Sequence, residues 1–356
     1  METIKIKTNS QEYCVLAGEN LIVFDNFDDA DGKEVFLVVD DGVPKKIVEK
    51  IKKILDERSS KFHSITMEAS EEKKSFSSLE EIHDSLIDFG YSRDCVLYAM
   101  GGGIICDMTG FAAATFQRGV DFVLIPTTLL SQVDASVGGK TAINHKKGKN
   151  MIGAFHQPKK VISDVSFLAS LKSKQLTDGL SEIIKHAVIL DKDFFNWLEE
   201  NIKELLINDS SLYEYAVSKS ILLKESVVSR DEKEEGIRKW LNFGHTYGHA
   251  IEKYGNFEDF SHGEAVALGM LMAINLSIDV SELEIETAKR IKGLISRVLS
   301  KELLSLKFDS ELLHAMMSVD KKKTGDALNF ITIKDIGQAE IKKDPDLDTI
   351  LKSIEL

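Results

Sequence analysis

CVLYAMGGGIICDMTGFAAAT, residues 95–115, is the stretch on which the fold turns. Cys95–Met100 is a short apolar run of strand-forming residues that ends on Gly101-Gly102-Gly103 and leads into the helix-like Cys106–Thr115. Strand, glycine turn and helix in that order make the phosphate-facing corner of a nucleotide-binding domain. Glycine lets the backbone approach a pyrophosphate, and the free N–H groups of a helix start attract anions. The dinucleotide spacing GxGxxG is not met, because Cys106 stands at its third glycine, and a purely structural turn would use the same residues. Asp107, at the mouth of the loop, is either an acceptor for a ligand or a helix cap.

Working outward, the pattern repeats. Val35–Val39 reads as a buried strand stopped by Asp40-Asp41-Gly42, and Pro44 opens a helix over Lys45–Leu55 with Ile47, Ile51 and Leu55 on one face. Leu79–Phe89 reads as a helix and Phe122–Ile125, closed by Pro126, as a strand. Strands alternating with helices predict a parallel sheet. From about Thr177 the chain turns to helical periodicity through Ile221–Ser229, Glu264–Leu276 and Ile285–Leu299, with a late hairpin of Leu328–Ile333 and Ala339–Ile341 around Gly337. The expected class is α/β: a Rossmann-like nucleotide-type domain over residues 1–175, then a mainly helical domain over 176–356, to which the histidines and the resemblance described below assign metal and substrate binding.

The 356 residues hold 45 Lys and Arg against 58 Asp and Glu, a net charge of −13, which argues against nucleic acid or an anionic membrane as partner. The hydrophobic share of 43% suits a folded protein. Cys14, Cys95 and Cys106 form no metal-type pair and fit a reducing compartment. No signal-like apolar segment opens the chain, and no uninterrupted apolar run reaches the ~18 residues of a membrane span, so the expectation is a cytoplasmic protein. Residues 101–160 depart from the average: seven Lys and Arg against three Asp give +4.

Two further clusters suggest chemistry. Gly138-Gly139-Lys140-Thr141 resembles the end of a phosphate loop, but Asp134 occupies the place of its first glycine. Lys140, Lys146, Lys147 and Lys149 beside Asn144 and Asn150 instead suggest an anion-binding turn, with a solvated basic loop as the plainer alternative. His245 and His249 lie four apart in FGHTYGH, and His262 follows in SHGE, among Gly244, Gly248, Gly255 and Gly263. Imidazoles so spaced suit a divalent metal, most often zinc, with a carboxylate completing the set; spacing leaves both Glu182 and Glu264 open. These parts fit metal-assisted redox chemistry on a hydroxyl of a phosphorylated substrate, in an alcohol dehydrogenase or in an enzyme that uses oxidation transiently.

The string from Gly101 to Asn144, continued by GKNMIGAFHQP at 148–158, resembles the 3-dehydroquinate synthase family. So do SEIIKHAVI at 181–189, RKWLNFGHTYGHAIE at 238–252, SHGEAVALGM at 261–270 and SVDKKKTG at 318–325. The resemblance implies Glu182, His245 and His262 as ligands of a zinc or cobalt ion, which sets Glu264 aside and leaves His249 in the active site. It implies NAD at Glu71, Lys74, Gly103 through Asp107, Thr127, Thr128, Lys140, Lys149 and the Phe167–Ser170 turn. Substrate carboxylate and phosphate would meet Lys140, Asn150, Lys185, Lys224, Arg238, Asn242 and His249, with Lys321 or Lys322; Asp134 would orient Lys140 or the ring hydroxyls. Arg118 resembles the arginine that reaches the neighbouring subunit's site, implying a homodimer. Cys106, His186 and the SEEKKS segment at 70–75 depart from the family pattern.

The implied reaction converts 3-deoxy-D-arabino-heptulosonate 7-phosphate to 3-dehydroquinate and phosphate. Transient oxidation by NAD acidifies the neighbouring C–H, phosphate leaves, the hydride returns, and an intramolecular aldol step closes the ring.

Overall fold

A computed structural model describes the chain apart from residues 208, 325–327 and 356 and the side chains of residues 210 and 318–324. Two compact units emerge: residues 1–171 with 213–232, and residues 172–212 with 233–356. The first break lies close to the boundary expected at 175. Residues 213–232 depart from that expectation, since they return to the first unit. Helical periodicity shows that a segment has an apolar face, not which core the face will cover.

The first unit is built on strands β1 (Glu2–Lys7), β2 (Glu12–Gly18), β3 (Glu34–Asp40), β4 (Lys61–Met67), β5 (Val96–Gly101), β6 (Asp121–Pro126), β7 (Lys140–His145), β8 (Gly148–Phe155) and β9 (Lys160–Asp164). Seven of them form one sheet in the order β1-β2-β9-β6-β5-β3-β4, parallel except for the β1–β2 edge. Helices α1 (Lys45–Arg58), α2 (Phe76–Asp88) and α3 (Gly103–Thr115) supply the crossovers. Both faces of the central strands are buried, which is why β3 and β5 read as continuous apolar runs. Val35, Leu37 and Val39 join Val96, Tyr98 and Met100 in a core that Val48, Ile51 and Leu55 of α1 complete.

From β3 the chain passes to β4 on one side and then to β5 on the other. The carboxyl ends of β3 and β5 therefore flank a topological switch point, where open α/β sheets bind ligands. Gly101–Gly103 lies there. The stretch expected to be a basic turn is a separate antiparallel ribbon of β7 and β8.

The second unit contains α4 (Ser173–Leu190) and α5 (Lys192–Leu206), and after α6 (Ser210–Val228), which lies mostly in the first unit, α7 (His245–Tyr254) and α8 (His262–Val280). Then come α9 (Ile285–Ile295), the short α10 (Lys301–Leu304), α11 (Ser310–Thr324), the hairpin β10 (Asn329–Asp335) and β11 (Gln338–Lys343), and α12 (Leu347–Ser353). Among the described helices α8 alone is long and apolar enough to cross a membrane, yet it is interrupted by Glu264, Asn275 and Asp279 and is largely buried within the protein.

Glycines set the α7–α8 distance. A Cβ on Gly269 would fall 2.2 Å from the Gly244 carbonyl oxygen, and one on Gly248 3.2 Å from the Ala265 oxygen. Gly244 also takes a left-handed φ of +79° as α7 begins. The glycines around the histidines thus let two helices approach to backbone contact.

Candidate active site

In the first unit the glycine turn behaves as its sequence suggests. A Cβ on Gly101 would meet Asp40 Cβ at 2.8 Å and Ile105 Cβ at 2.9 Å, so only glycine fits between the end of β3 and the first turn of α3. The helix begins at Gly103, three residues before the predicted start. Cys106 is buried and its thiol donates to the Gly101 carbonyl, so the departure from the family pattern packs inward. The Thr127 N–H donates to the Gly101 oxygen at 2.9 Å, and Thr128 lies against Gly102.

A hydrogen-bonded chain faces this turn. Lys74, 4% exposed, donates to Asp107 and to Asn150, both at 2.5 Å. Asn144 donates to the Glu71 carboxylate at 2.7 Å and accepts from the Asn150 N–H at 2.8 Å. Burial pushes the Asp107 carboxyl above the usual carboxylate range, against the pull of Lys74. This chain ties the SEEKKS segment to the β7–β8 ribbon. Asn144, which sequence reading placed only in a basic cluster, is its centre.

A cavity of ≈ 540 Å³ within this unit is lined by Asp107, Asp134, Lys140, Asn150 and Lys224, among others. Lys224 reaches it from α6 and donates to the Asp134 carboxylate and carbonyl, both at 2.5 Å. The resemblance implied Lys140 or the ring hydroxyls for Asp134; Lys224 is a partner it did not name. Lys149 is half-buried on β8. Phe167 packs its ring into the core, so the Phe167–Ser170 turn has backbone and the exposed Ser170 to offer. Asp40, missed in the sequence, ends β3 at the switch point and accepts from the Gly42 N–H at 2.9 Å. Burial raises its carboxyl above the usual range.

Arg118 is exposed in the turn after α3, with left-handed φ at Gln117, Arg118 and Gly119. Helix α3, 13 residues long, carries the chain about 20 Å from the glycine turn to the other end of the sheet.

In the second unit Glu182, His245 and His262 come together, with one donor atom from each within 4.8 Å of the others. Glu182 on α4 is fully buried; its Oε1 lies 3.7 Å from His245 Nε2 and 3.6 Å from His262 Nε2. Burial and the neighbouring Lys185 push His245 well below its usual range. Burial also acts to lower His262, but the Glu182 and Glu252 carboxylates, each 3.6 Å from a ring nitrogen, outweigh it and hold the imidazole at about 10. Two imidazole nitrogens and a buried carboxylate are a donor set suited to zinc or a similar cation.

Glu264 lies outside that set. It accepts from the Ser261 N–H at 2.8 Å in a capping box and pairs with Lys174 at 3.2 Å. His249 stands edge-on to His245, ring centres 5.5 Å apart. Lys185 is buried and paired with Glu182, and Arg238 and His186 are buried. Asn242 donates to Glu234, which spacing had not marked, at 2.5 Å. The side chains of Lys321 and Lys322 lie outside the described residues.

Asp178 and Glu252 were also missed. Asp178, one turn before Glu182, accepts from the Gly263 N–H at 2.9 Å and so fixes the start of α8. Glu252 approaches His262 Nδ1 at 3.6 Å. Each sits at helical spacing from a residue already singled out, which was the available signal.

The model for the 3-dehydroquinate synthase N-terminal domain matches residues 64–178, and that for the C-terminal domain matches 179–323. The chain belongs to the 3-dehydroquinate synthase family. Among its relatives, the 3-dehydroquinate synthase of Acinetobacter baumannii (strain SDF) is 40% identical over 356 residues, 99% of this chain and 98% of that one. That of a Nitratiruptor species is 46% identical over 290 residues, 80% and 82% of the two. Similar solved structures include the 2-epi-5-epi-valiolone synthase of Streptomyces hygroscopicus subsp. jinggangensis 5008 with NAD+ and Zn2+ bound, at TM-score 0.87, 25% identity and 96% and 95% coverage. A 2-deoxy-scyllo-inosose synthase shares the fold at TM-score 0.90 and 24% identity over 99% of each chain. An iron-containing alcohol dehydrogenase does so at TM-score 0.69 and 16% identity over 98% and 96%. The family and fold expected from the resemblance are thereby borne out, and the 3-dehydroquinate synthase relatives stand well above these solved structures in identity.

Proposed function

We propose that this chain catalyses the 3-dehydroquinate synthase reaction, converting 3-deoxy-D-arabino-heptulosonate 7-phosphate to 3-dehydroquinate and phosphate with NAD and one zinc or cobalt ion. The observation that carries the reading is the convergence of Glu182, His245 and His262, distant in sequence, in a chain that matches both family domains.

Asp107, Lys74, Gly103, Thr127 and Thr128 would hold NAD at the switch point, with Glu71, Lys149 and the Phe167–Ser170 turn around it. NAD supplies a hydride acceptor that later returns the hydride, and the metal supplies a Lewis acid for the substrate hydroxyls. Lys140, Lys224 and Asn150 would bind anionic groups of the substrate in the cavity, where Asp134 keeps the Lys224 ammonium in place. In the second unit Lys185, Arg238, Asn242 and His249 would bind anionic groups of the substrate, Arg238 with the fork geometry that suits phosphate. We assign the exposed Arg118 to the site of a second copy, in a homodimer. Three free cysteines fit a cytoplasmic setting.

The test is an assay of phosphate release from the heptulosonate phosphate, with NADH absorbance followed in parallel. Phosphate without lasting NADH is the expected result; NADH that accumulates without phosphate defeats the proposal. His262→Ala is expected to keep the fold and lose the metal with nearly all turnover.

A further inference from the structure

Glu252 has no part in the reading above, although it is a buried acid, 4% exposed, beside the histidine cluster. It follows His245 by seven residues and His249 by three, so one stripe of α7 carries all three side chains. Its Oε1 lies 3.6 Å from His262 Nδ1, while His262 Nε2 lies 3.6 Å from Glu182. His262 is therefore held between two carboxylates, one at each ring nitrogen. His245 is placed in the same way with a weaker partner: Nε2 faces Glu182, and Nδ1 is 3.3 Å from the Phe243 carbonyl.

An imidazole that ligates through Nε2 carries its proton on Nδ1, and an acceptor there fixes tautomer and ring orientation and raises ligand basicity. The charged acceptor stands where it is needed more. His262 is the first residue of α8 and its side chain is 32% exposed, against 12% for His245. We propose that Glu252 is a positioning residue for the metal: it accepts the Nδ1 proton of His262 and aims Nε2 at the point shared with Glu182 and His245. The proposal rests on reading those three residues as the ligand set.

The experiment compares metal-stripped wild type with Glu252→Gln, Glu252→Ala and His262→Ala. Zn2+ is titrated against a chelating indicator, and the visible absorption of the Co2+ form is recorded. Glu252→Ala should weaken Zn2+ binding about 10- to 100-fold and change the Co2+ spectrum, while the circular dichroism of the metal-free protein stays the same. Glu252→Gln keeps the shape and an acceptor without charge, and should fall between wild type and Glu252→Ala. Should Glu252→Ala fail to fold, Glu252→Gln decides alone. Wild-type affinity and an unchanged Co2+ spectrum in the folded variants overturn the proposal. Wild-type protein that takes up neither ion overturns the ligand set and this proposal together. Normal metal binding without phosphate release defeats only the proposed reaction.

Discussion

The two units hold their candidate site residues by different means. In the first, Lys74, Asp107, Asn144 and Asn150 come from separate segments and are joined by polar bonds, each of which places a single group. In the second, Glu182, His245 and His262 sit on α4, α7 and α8, and packing places whole helices. The close approach of Gly244 to Gly269 and of Asp178 to Gly263 sets all three donors together. A bonded network should therefore fail one function at a time, whereas a packed one should fail as a unit.

The largest effect is expected where packing is broken. In Gly269→Ala the new Cβ would meet backbone at 2.2 Å, which no side-chain rotation relieves. We expect a loss of about 3 kcal/mol of stability, the upper end for an overfilled core, together with loss of zinc uptake. Thermal unfolding and metal titration check both, and unaltered values would remove the contrast between the units. Next comes Lys74→Met, which leaves the half-buried Asp107 without the Lys74 ammonium. The expected result is at least a tenfold rise in the KM for NAD with zinc affinity unchanged. If zinc affinity weakened equally, the two networks would not be independent.

The smallest effect concerns acid. Glu232, at the end of residues 213–232, accepts from the Ser10 N–H at 3.1 Å and from Gln157 at 2.8 Å. Burial would raise its carboxyl, but the bonds from Ser10 and Gln157 outweigh that and leave it below the usual range. A carboxyl lowered by folding gives stability that is fully present above its unfolded value and lost as pH falls through the folded one. Glu232→Gln should cost about 1–2 kcal/mol at neutral pH and flatten the acid limb of the stability curve. Denaturant midpoints at pH 7 and pH 4 measure the difference. A variant that keeps the wild-type slope would show that Glu232 does not anchor the segment.

Much of this was legible beforehand. Apolar runs located β3, β5 and β6, and the glycines of 101–103 located the carboxyl end of β5. Strand β4, KFHSITM at 61–67, was missed because a half-buried edge strand carries mixed polarity and lacks the continuous apolar signature. The histidines were visible as a group, but spacing could not choose between Glu182 and Glu264. The choice depends on a capping box that turns Glu264 toward Ser261, and on the crossing of α4 with α8. Lys224 illustrates the general limit: nothing within its helix tells that the helix packs on the first unit.

That excursion also bears on how the protein is made. The chain leaves the first unit after Leu171, returns at Tyr213 and leaves again after Glu232. A ribosome that has finished Leu171 has not yet supplied Lys224 or Glu232, so the nucleotide-type unit must wait through the synthesis of α4 and α5 before it can close. Neither unit corresponds to one continuous fragment. A gene cut at residue 171 should give an amino-terminal piece that is completed only when a peptide spanning 213–232 is added in trans.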